Sequence, residues 1–407
     1  MIAIVFKLEK ALVEGRFFAS LQGLFDRLLA IIFKNIIFRF TKIEVNKIVF
    51  MTYNNRYICN PKYIAEGIIR QQKEWKLVWI VSPGRNLDFR NLNFPNAIKL
   101  VQRDTFEALY EIATAKIWID NAINFLWNPI PKKKSQYYIE TWHGSMGIKR
   151  IEKNKERHWI KTAEKTGRMT NLLISNSTFE TQVYRDTWWP NTEVFACGHP
   201  RNDCFFSQAE MKKARKVVSG YYDVSSETKF ILYAPTFRDT GHIDFKDFDY
   251  KRLVDALGKK FGGSWIVLVR KHFHDASVKL NLSKFNCVRN ATGYPDMQEL
   301  LMACDAGITD YSSWAYDYLL TRRPLFIYAT DLEEYNTERG LDYPLETTPF
   351  PIANDNSELI TKIEGFDNEI YQKKIDMFLK EKGCVEDGHA AERIVKKIEC
   401  VIEGKKS

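Results

Sequence analysis

Ala306–Thr309 is a short apolar strand that runs straight into Asp310, Tyr311, Ser312 and Ser313, and an aromatic-rich helix follows. Two adjacent hydroxyls at such a turn suit an anion, because the first N–H groups of a helix lack intrahelical partners and the dipole is positive there. A nucleotide diphosphate meets that description. So does a plain helix N-cap, in which a serine serves only its own backbone. Other residues with usable chemistry recur just after apolar runs. They are Glu140 and His143 in Glu140-Thr-Trp-His-Gly144, Arg201 and Asn202 in Gly198-His-Pro-Arg-Asn-Asp203, Thr236 and Arg238 in Tyr233-Ala-Pro-Thr-Phe-Arg238, and Arg270 and His272 in Arg270-Lys-His272. A histidine just before a glycine can take a proton from a hydroxyl, and arginines can balance charge growing on phosphate oxygens. His143 fits a loop-stabilising hydrogen bond as well. Glu333 and Glu334, past the strand that ends at Tyr328, are either ligands for hydroxyls or exposed charge. Asp317 lies one turn beyond Ser313 and reads as a brace for that helix.

The elements that must position these groups are legible from periodicity. Continuous apolar runs at Lys47–Thr52, Lys76–Val81, Ile98–Val101, Ile117–Asp120, Tyr137–Thr141 and Leu172–Ser175 alternate with helical stretches such as Asp104–Thr114 and Ser177–Arg185. That alternation predicts a parallel sheet covered on both faces. The pattern restarts at Phe230–Ala234, Trp265–Arg270, Cys287–Val288, Ala306–Thr309 and Pro324–Tyr328. Between the halves a charged helix, Met211–Ser219, is stopped by Gly220 and followed by a polar linker. The boundary is therefore placed near residue 210, with an N-terminal domain over 45–210 and a C-terminal domain over 211–407. Ligands of doubly wound sheets bind beyond the carboxyl ends of strands, where the motifs above fall.

Composition narrows the partners. Sixty Lys and Arg against 51 Asp and Glu leave a formal charge of +9, which favours anionic partners such as a membrane surface or a nucleotide. Seven scattered cysteines without C-x-x-C spacing read as reduced thiols. Cys197 and Cys204 flank His199, yet the tight Gly198-His-Pro200 turn argues against a zinc cluster. Asp247-Phe-Asp249 has the D-x-D form of a metal motif but sits before a charged helix and reads as a solvated helix start. Residues 1–44 form a separate segment. Leu28–Phe40 is apolar but interrupted by Lys34 and Arg39, and at 100° per residue Arg27, Lys34, Asn35, Arg39 and Lys42 share one arc. Ile31 and Phe38 fall on the same arc. The run is shorter than the about 20 residues that span a bilayer, and predicts an amphipathic helix lying on an anionic membrane surface. Packing on the enzyme or on a second copy in a homo-oligomer is the alternative.

Taken in order and spacing, these motifs resemble the CDP-glycerol glycerophosphotransferase family of teichoic-acid and capsule polymer transferases, over roughly Lys47 to Ile398. The resemblance implies a GT-B fold, with two Rossmann-like doubly wound domains facing a central cleft. It implies that glycerol phosphate passes from CDP-glycerol to a hydroxyl of a lipid-linked or polymeric glycan, with CMP released; the reduced cysteines and the N-terminal segment place this expectation at the cytoplasmic face of the membrane. His143 matches the family's base on the acceptor-side domain, with Glu140 as an orienting partner. His272 matches a second histidine that stabilises phosphate or leaving group. Arg201, Asn202, Thr236, Arg238, Arg270, Asp310, Ser312, Ser313 and Glu334 would bind the donor, Glu334 at the ribose. No metal or other cofactor is implied, basic side chains doing that work. Phe237 replaces the family's usual tryptophan, and Ser145-Met-Gly147 replaces the commoner Thr-Pro-Leu beside the histidine, which leaves the acceptor open. CDP-ribitol transfer and sugar transfer from a sugar nucleotide are the competing enzyme classes. A nucleic-acid-binding protein is disfavoured, because the basic residues are dispersed and no RNP, zinc-finger or helix-turn-helix pattern occurs.

Overall fold

The structure, a computed structural model, describes residues 32, 38–53, 56–82, 94–123, 131–147, 150, 157–236, 238, 248–271, 282, 284–338 and 340–405. The first sheet holds β1 (Glu44–Met51), β2 (Lys76–Val81), β3 (Ile98–Gln102), β4 (Ala115–Asp120), β5 (Tyr137–Glu140), β6 (Leu172–Ser175) and β7 (Glu193–Ala196), in the order 3-2-1-4-5-6-7. Neighbours from β3 through β6 pair in parallel. The second sheet holds β8 (Lys229–Tyr233), β9 (Trp265–Val269), β10 (Val288–Asn290), β11 (Ala306–Thr309), β12 (Leu325–Tyr328) and β13 (Ile352–Ala353). Its order is 10-9-8-11-12-13, all parallel. Counted from its own first strand this is 3-2-1-4-5-6, so both sheets carry the doubly wound order of dinucleotide-binding folds.

The crossover helices are α1 (Cys59–Arg70), α2 (Phe106–Thr114), α3 (Arg157–Met169), α4 (Thr178–Arg185), α5 (Gln208–Tyr221), α6 (Tyr250–Phe261), α7 (Met297–Ala303), α8 (Trp314–Leu319), α9 (Leu332–Glu338), α10 (Asn356–Glu364), α11 (Asn368–Lys382) and α12 (Ala390–Glu403). Their starts follow capping chemistry. Thr105, Ser177, Ser207 and Asp249 each accept a first-turn N–H of the helix they precede. Asp249 is thus a helix cap, as its surroundings predict; Asp247 lies outside the described residues. Two edge strands, β7 and β13, were not anticipated: β7 is exposed or half-buried along its length and β13 has two residues, so neither shows a buried apolar run.

By compactness the chain divides into two units, one of residues 1–142, 162–173 and 395–407, the other of residues 143–161 and 174–394. A cut at 210 separates the two sheets but not these units. The second unit reaches back to residue 174 because Val385 and Asn176, Thr178 and Gly383, and Arg393 and Cys197 are joined by hydrogen bonds. The first unit has its own core, with Val49, Val78, Ile80, Ile112 and Trp118 buried together. The amphipathic helix expected over 28–40 lies outside the described residues, apart from Ile32 and the turn Phe38–Phe40. Among the described residues no helix is long and apolar enough to cross a membrane.

In the second unit, Gly307 sets how closely α8 approaches the sheet. A Cβ there would stand 2.9 Å from Cη2 of Trp314 and 3.3 Å from Leu325. The Trp314 ring sits in that gap, and its Nε1 donates to the Ala234 carbonyl at 2.9 Å. Gly307→Val is expected to overpack this contact and to cost about 1–3 kcal/mol, seen as a lower Tm and urea midpoint.

Candidate active site

The topological switch point of the second sheet lies between β8 and β11, the place where such sheets bind ligands. Asp310, directly after β11, is buried. Its Oδ1 accepts the N–H of Thr236 at 2.7 Å and of Tyr311 at 2.6 Å, and its Oδ2 lies 2.8 Å from Arg238 Nη2. Burial pushes the Asp310 carboxyl above the usual range, against the pull of Arg238 and Thr236. Arg238 also grips Asp331 after β12, with Nη2 2.9 Å from its Oδ1. Burial raises the Asp331 carboxyl, but the hydrogen bond and charge of Arg238 outweigh it and the net shift is downward. The guanidinium lies over the rings of Tyr311 and Tyr335, at 5.1 and 5.2 Å, and those rings stack at 3.8 Å. Thr236, Arg238 and Asp310 are therefore brought together, with Asp331, Tyr311 and Tyr335 added from outside the expected set.

Ser312 and Ser313 follow on the same turn, both half-buried. Ser313 occupies the N-cap position of α8 but makes no side-chain capping bond, so the plain-cap alternative is not realised. The next loop to reach this turn contains His143. It belongs to the same compact unit, and a Cβ on Gly147 would stand 3.2 Å from Cβ of Ser313. His143 itself is exposed. Arg201 and Asn202 are buried against α8, one turn beyond Ser313. Arg201 Nε donates to Asp317 Oδ2 at 2.9 Å and its Nη2 to the Gly144 carbonyl. Asn202 donates to Asp317 at 3.0 Å and to Glu386 at 2.8 Å.

The remaining expected residues fall elsewhere. Arg270 directly follows β9 and donates from Nη1 to the carbonyls of Ala291 and Tyr294, at 2.9 and 2.6 Å, which fastens the loop after β10. Glu333 and Glu334 are exposed on α9. His272 lies outside the described residues. Glu140 is buried in the first unit, where Oε1 accepts the Trp142 N–H at 2.8 Å and Oε2 accepts the Ile123 N–H at 3.2 Å and the Tyr138 hydroxyl at 3.3 Å. Burial first, and the Asp120 charge second, hold this carboxyl well above the usual range. What Glu140 orients is the backbone of Trp142, whose φ of +49° is left-handed and strained for a bulky residue. Asp120, the charge neighbour of Glu140, reads in the sequence only as the last residue of a strand. Among the described residues no group of three or more His, Cys, Asp or Glu could hold a metal ion, and all seven cysteines are unpaired.

A family model described as CDP-glycerol:poly(glycerophosphate) glycerophosphotransferase matches residues 32–400. The chain belongs to this family. Among curated relatives it is 28% identical over 371 residues to the teichoic acid poly(glycerol phosphate) polymerase of Staphylococcus epidermidis, covering 86% of this chain and 50% of that protein. The chain thus spans about half the length of that relative. It is 28% identical over 306 residues to the teichoic acid ribitol-phosphate primase of Bacillus spizizenii, covering 71% of this chain and 76% of the primase. Among solved structures, a variant of the wall teichoic acid polymerase TagF soaked with CDPG superposes with a TM-score of 0.78 at 26% identity, covering 99% of this chain and 98% of that one.

Glu386, in the turn before α12, is half-buried, and both its oxygens lie 3.2 Å from the His199 nitrogen. Burial pushes its carboxyl up to about 7, against the opposing pull of His199 and Asn202. Folding therefore favours the protonated form. The resulting stabilisation is complete below the free carboxyl value of 4.5 and is lost as pH rises through about 7. Glu386→Gln is expected to flatten the stability profile over that window and to leave the variant more stable than wild type at alkaline pH, by up to about 3 kcal/mol, in urea titrations. A parallel, downward-shifted profile would refute this.

Proposed function

We propose that this protein transfers glycerol phosphate from CDP-glycerol to a hydroxyl of a lipid-linked or polymeric cell-surface glycan, in teichoic acid or capsule biosynthesis, and releases CMP. The observation that carries the proposal is the meeting of the His143–Gly147 loop with the Ser313 turn, beside the switch point of the second sheet. In this scheme the acceptor oxygen bonds to the β-phosphorus, and the bond from that phosphorus to the oxygen bridging to CMP breaks. The hydroxyl proton passes to the imidazole of His143. Ser312, Ser313 and Thr236 receive phosphate oxygens. His272 and Arg270 balance the charge on the departing CMP, and Glu334 meets the ribose. Basic side chains rather than a metal supply that charge balance, a point that rests on the family resemblance. A GT-B arrangement of two Rossmann-like domains is part of the proposal, supported by the repeated strand order.

CDP-ribitol is the second donor, favoured by the match to a ribitol-phosphate primase. Incubation with CDP-glycerol, CDP-ribitol and UDP-sugars separates the classes: CMP release is expected with CDP-glycerol, whereas release of CDP or UDP would mean sugar transfer. His143→Ala is expected to lower turnover by about 10²–10⁴-fold while CDP-glycerol still binds. Full activity in that variant would remove His143 from the role of base.

Peripheral attachment to the cytoplasmic face of the membrane is proposed from the mixed basic and apolar segment at residues 27–42 and the net charge of +9. Removing residues 1–37, which spares the buried Phe38 and the Lys133 contacts to Thr41, is expected to abolish sedimentation with anionic liposomes without lowering the Tm. Unchanged partitioning would exclude the anchor.

A further inference from the structure

Four consecutive residues of the His143 loop are each fixed within the second unit. The Gly144 carbonyl accepts from Arg201 Nη2, the Ser145 hydroxyl accepts from Asn176 Nδ2 at 3.0 Å, and the Met146 carbonyl accepts from the Tyr343 hydroxyl at 2.6 Å. Gly147 lies against Ser313, where a Cβ would come within 3.2 Å of the serine Cβ. Arg201 is the member that also reaches the other half of the site. Its Nε and Nη2 lie 2.9 and 3.2 Å from the two oxygens of Asp317, which stands one helical turn beyond Ser313 on α8. Asn202 and Gln298 add donors to the same carboxylate at 3.0 and 3.3 Å. The Arg201 side chain is 3% exposed and that of Asp317 is 6% exposed.

A buried ion pair is a poor device for stability, because apolar side chains of like volume do as well. What a guanidinium adds is direction: its planar fork can hold a carboxylate and a carbonyl at once in a fixed geometry. Here one end of the fork is on the loop that presents His143 and the other is on the helix that begins at Ser313. We propose that Arg201 and Asp317 are a positioning pair, which sets the His143 loop against the phosphate-binding turn without touching the donor. The proposal rests on the phosphoryl-transfer scheme above and replaces the expectation that Arg201 binds the diphosphate.

Arg201→Lys separates the two roles, because lysine keeps a point charge for phosphate but cannot hold two acceptors in a fork. Tyr343→Phe is the milder companion, removing one hydroxyl from the Met146 carbonyl and keeping the ring. CMP release gives kcat, calorimetric titration gives the Kd for CDP-glycerol, and hydrogen exchange by mass spectrometry reports the amides of residues 143–147. For Arg201→Lys we expect kcat to fall about 10–100-fold, the scale of a small misplacement of reacting groups, with Kd unchanged and exchange faster over 143–147. Tyr343→Phe is expected to move the same three readouts in the same direction by less, and decides the matter if Arg201→Lys does not fold. A Kd weakened about 10–150-fold would instead make Arg201 a direct donor contact. Unchanged exchange over 143–147, or wild-type kcat per folded molecule in both variants, would also overturn the pairing. Failure of the phosphoryl-transfer scheme is read separately, as absent CMP release by the wild type, and the exchange measurement stands without it.

Discussion

Burying a carboxylate at the crevice of a parallel sheet costs several kcal/mol unless donors surround it, and Asp310 meets that demand with groups from other strands. Two backbone N–H groups and Arg238 converge on it, and Arg238 extends the arrangement to Asp331. The exits of β8, β11 and β12 are thereby tied to one another at the place where a ligand must be received. Removing Arg238 would leave the Asp310 carboxylate buried without its counter-charge, whereas removing Asp310 would leave Arg238 paired with Asp331 alone. The stacked Tyr311 and Tyr335 rings close the cluster from the side and give the guanidinium a face to lie on.

A second buried polar layer underlies the His143 loop. His199 Nε2 lies 3.0 Å from Glu180, Glu386 takes the His199 N–H and the Asn202 amide, and Asn202 hands on to Asp317. These residues come from the loop after β7, from α4, from α8 and from the turn before α12, so the layer joins segments far apart in the chain. An apolar filling could match its stability but not its orientation of individual backbone groups. The loop that bears the proposed base therefore rests on hydrogen bonds rather than on shape alone.

Much of this was legible in the sequence because buried parallel strands write themselves as unbroken apolar runs. Lys76–Val81, Leu172–Ser175 and Ala306–Thr309 match their strands residue for residue. Thr236, Arg238, Asp310, Ser312 and Ser313 follow strand ends, so their grouping at one edge of the second sheet followed from the fold class. What could not be read was which partner each charged group would take. Arg201 and Asp317 are 116 residues apart, and no local pattern announces that pairing. Arg238 likewise looked available to a ligand because its two carboxylates arrive from later strands. The grouping of 143–161 with the second unit was hidden for the same reason, since it depends on long-range hydrogen bonds and not on composition.

Trp142 adopts a backbone conformation that glycine enters freely and an indole enters only at a cost of order 1 kcal/mol. Glu140 and Asn60 hold it there, through the Trp142 N–H and the Thr141 carbonyl. A chain shaped for durability alone would place glycine at this position and relax. The large ring is kept there at an energetic disadvantage, so the sharp bend after β5 is imposed by hydrogen-bonding neighbours against the residue's own preference.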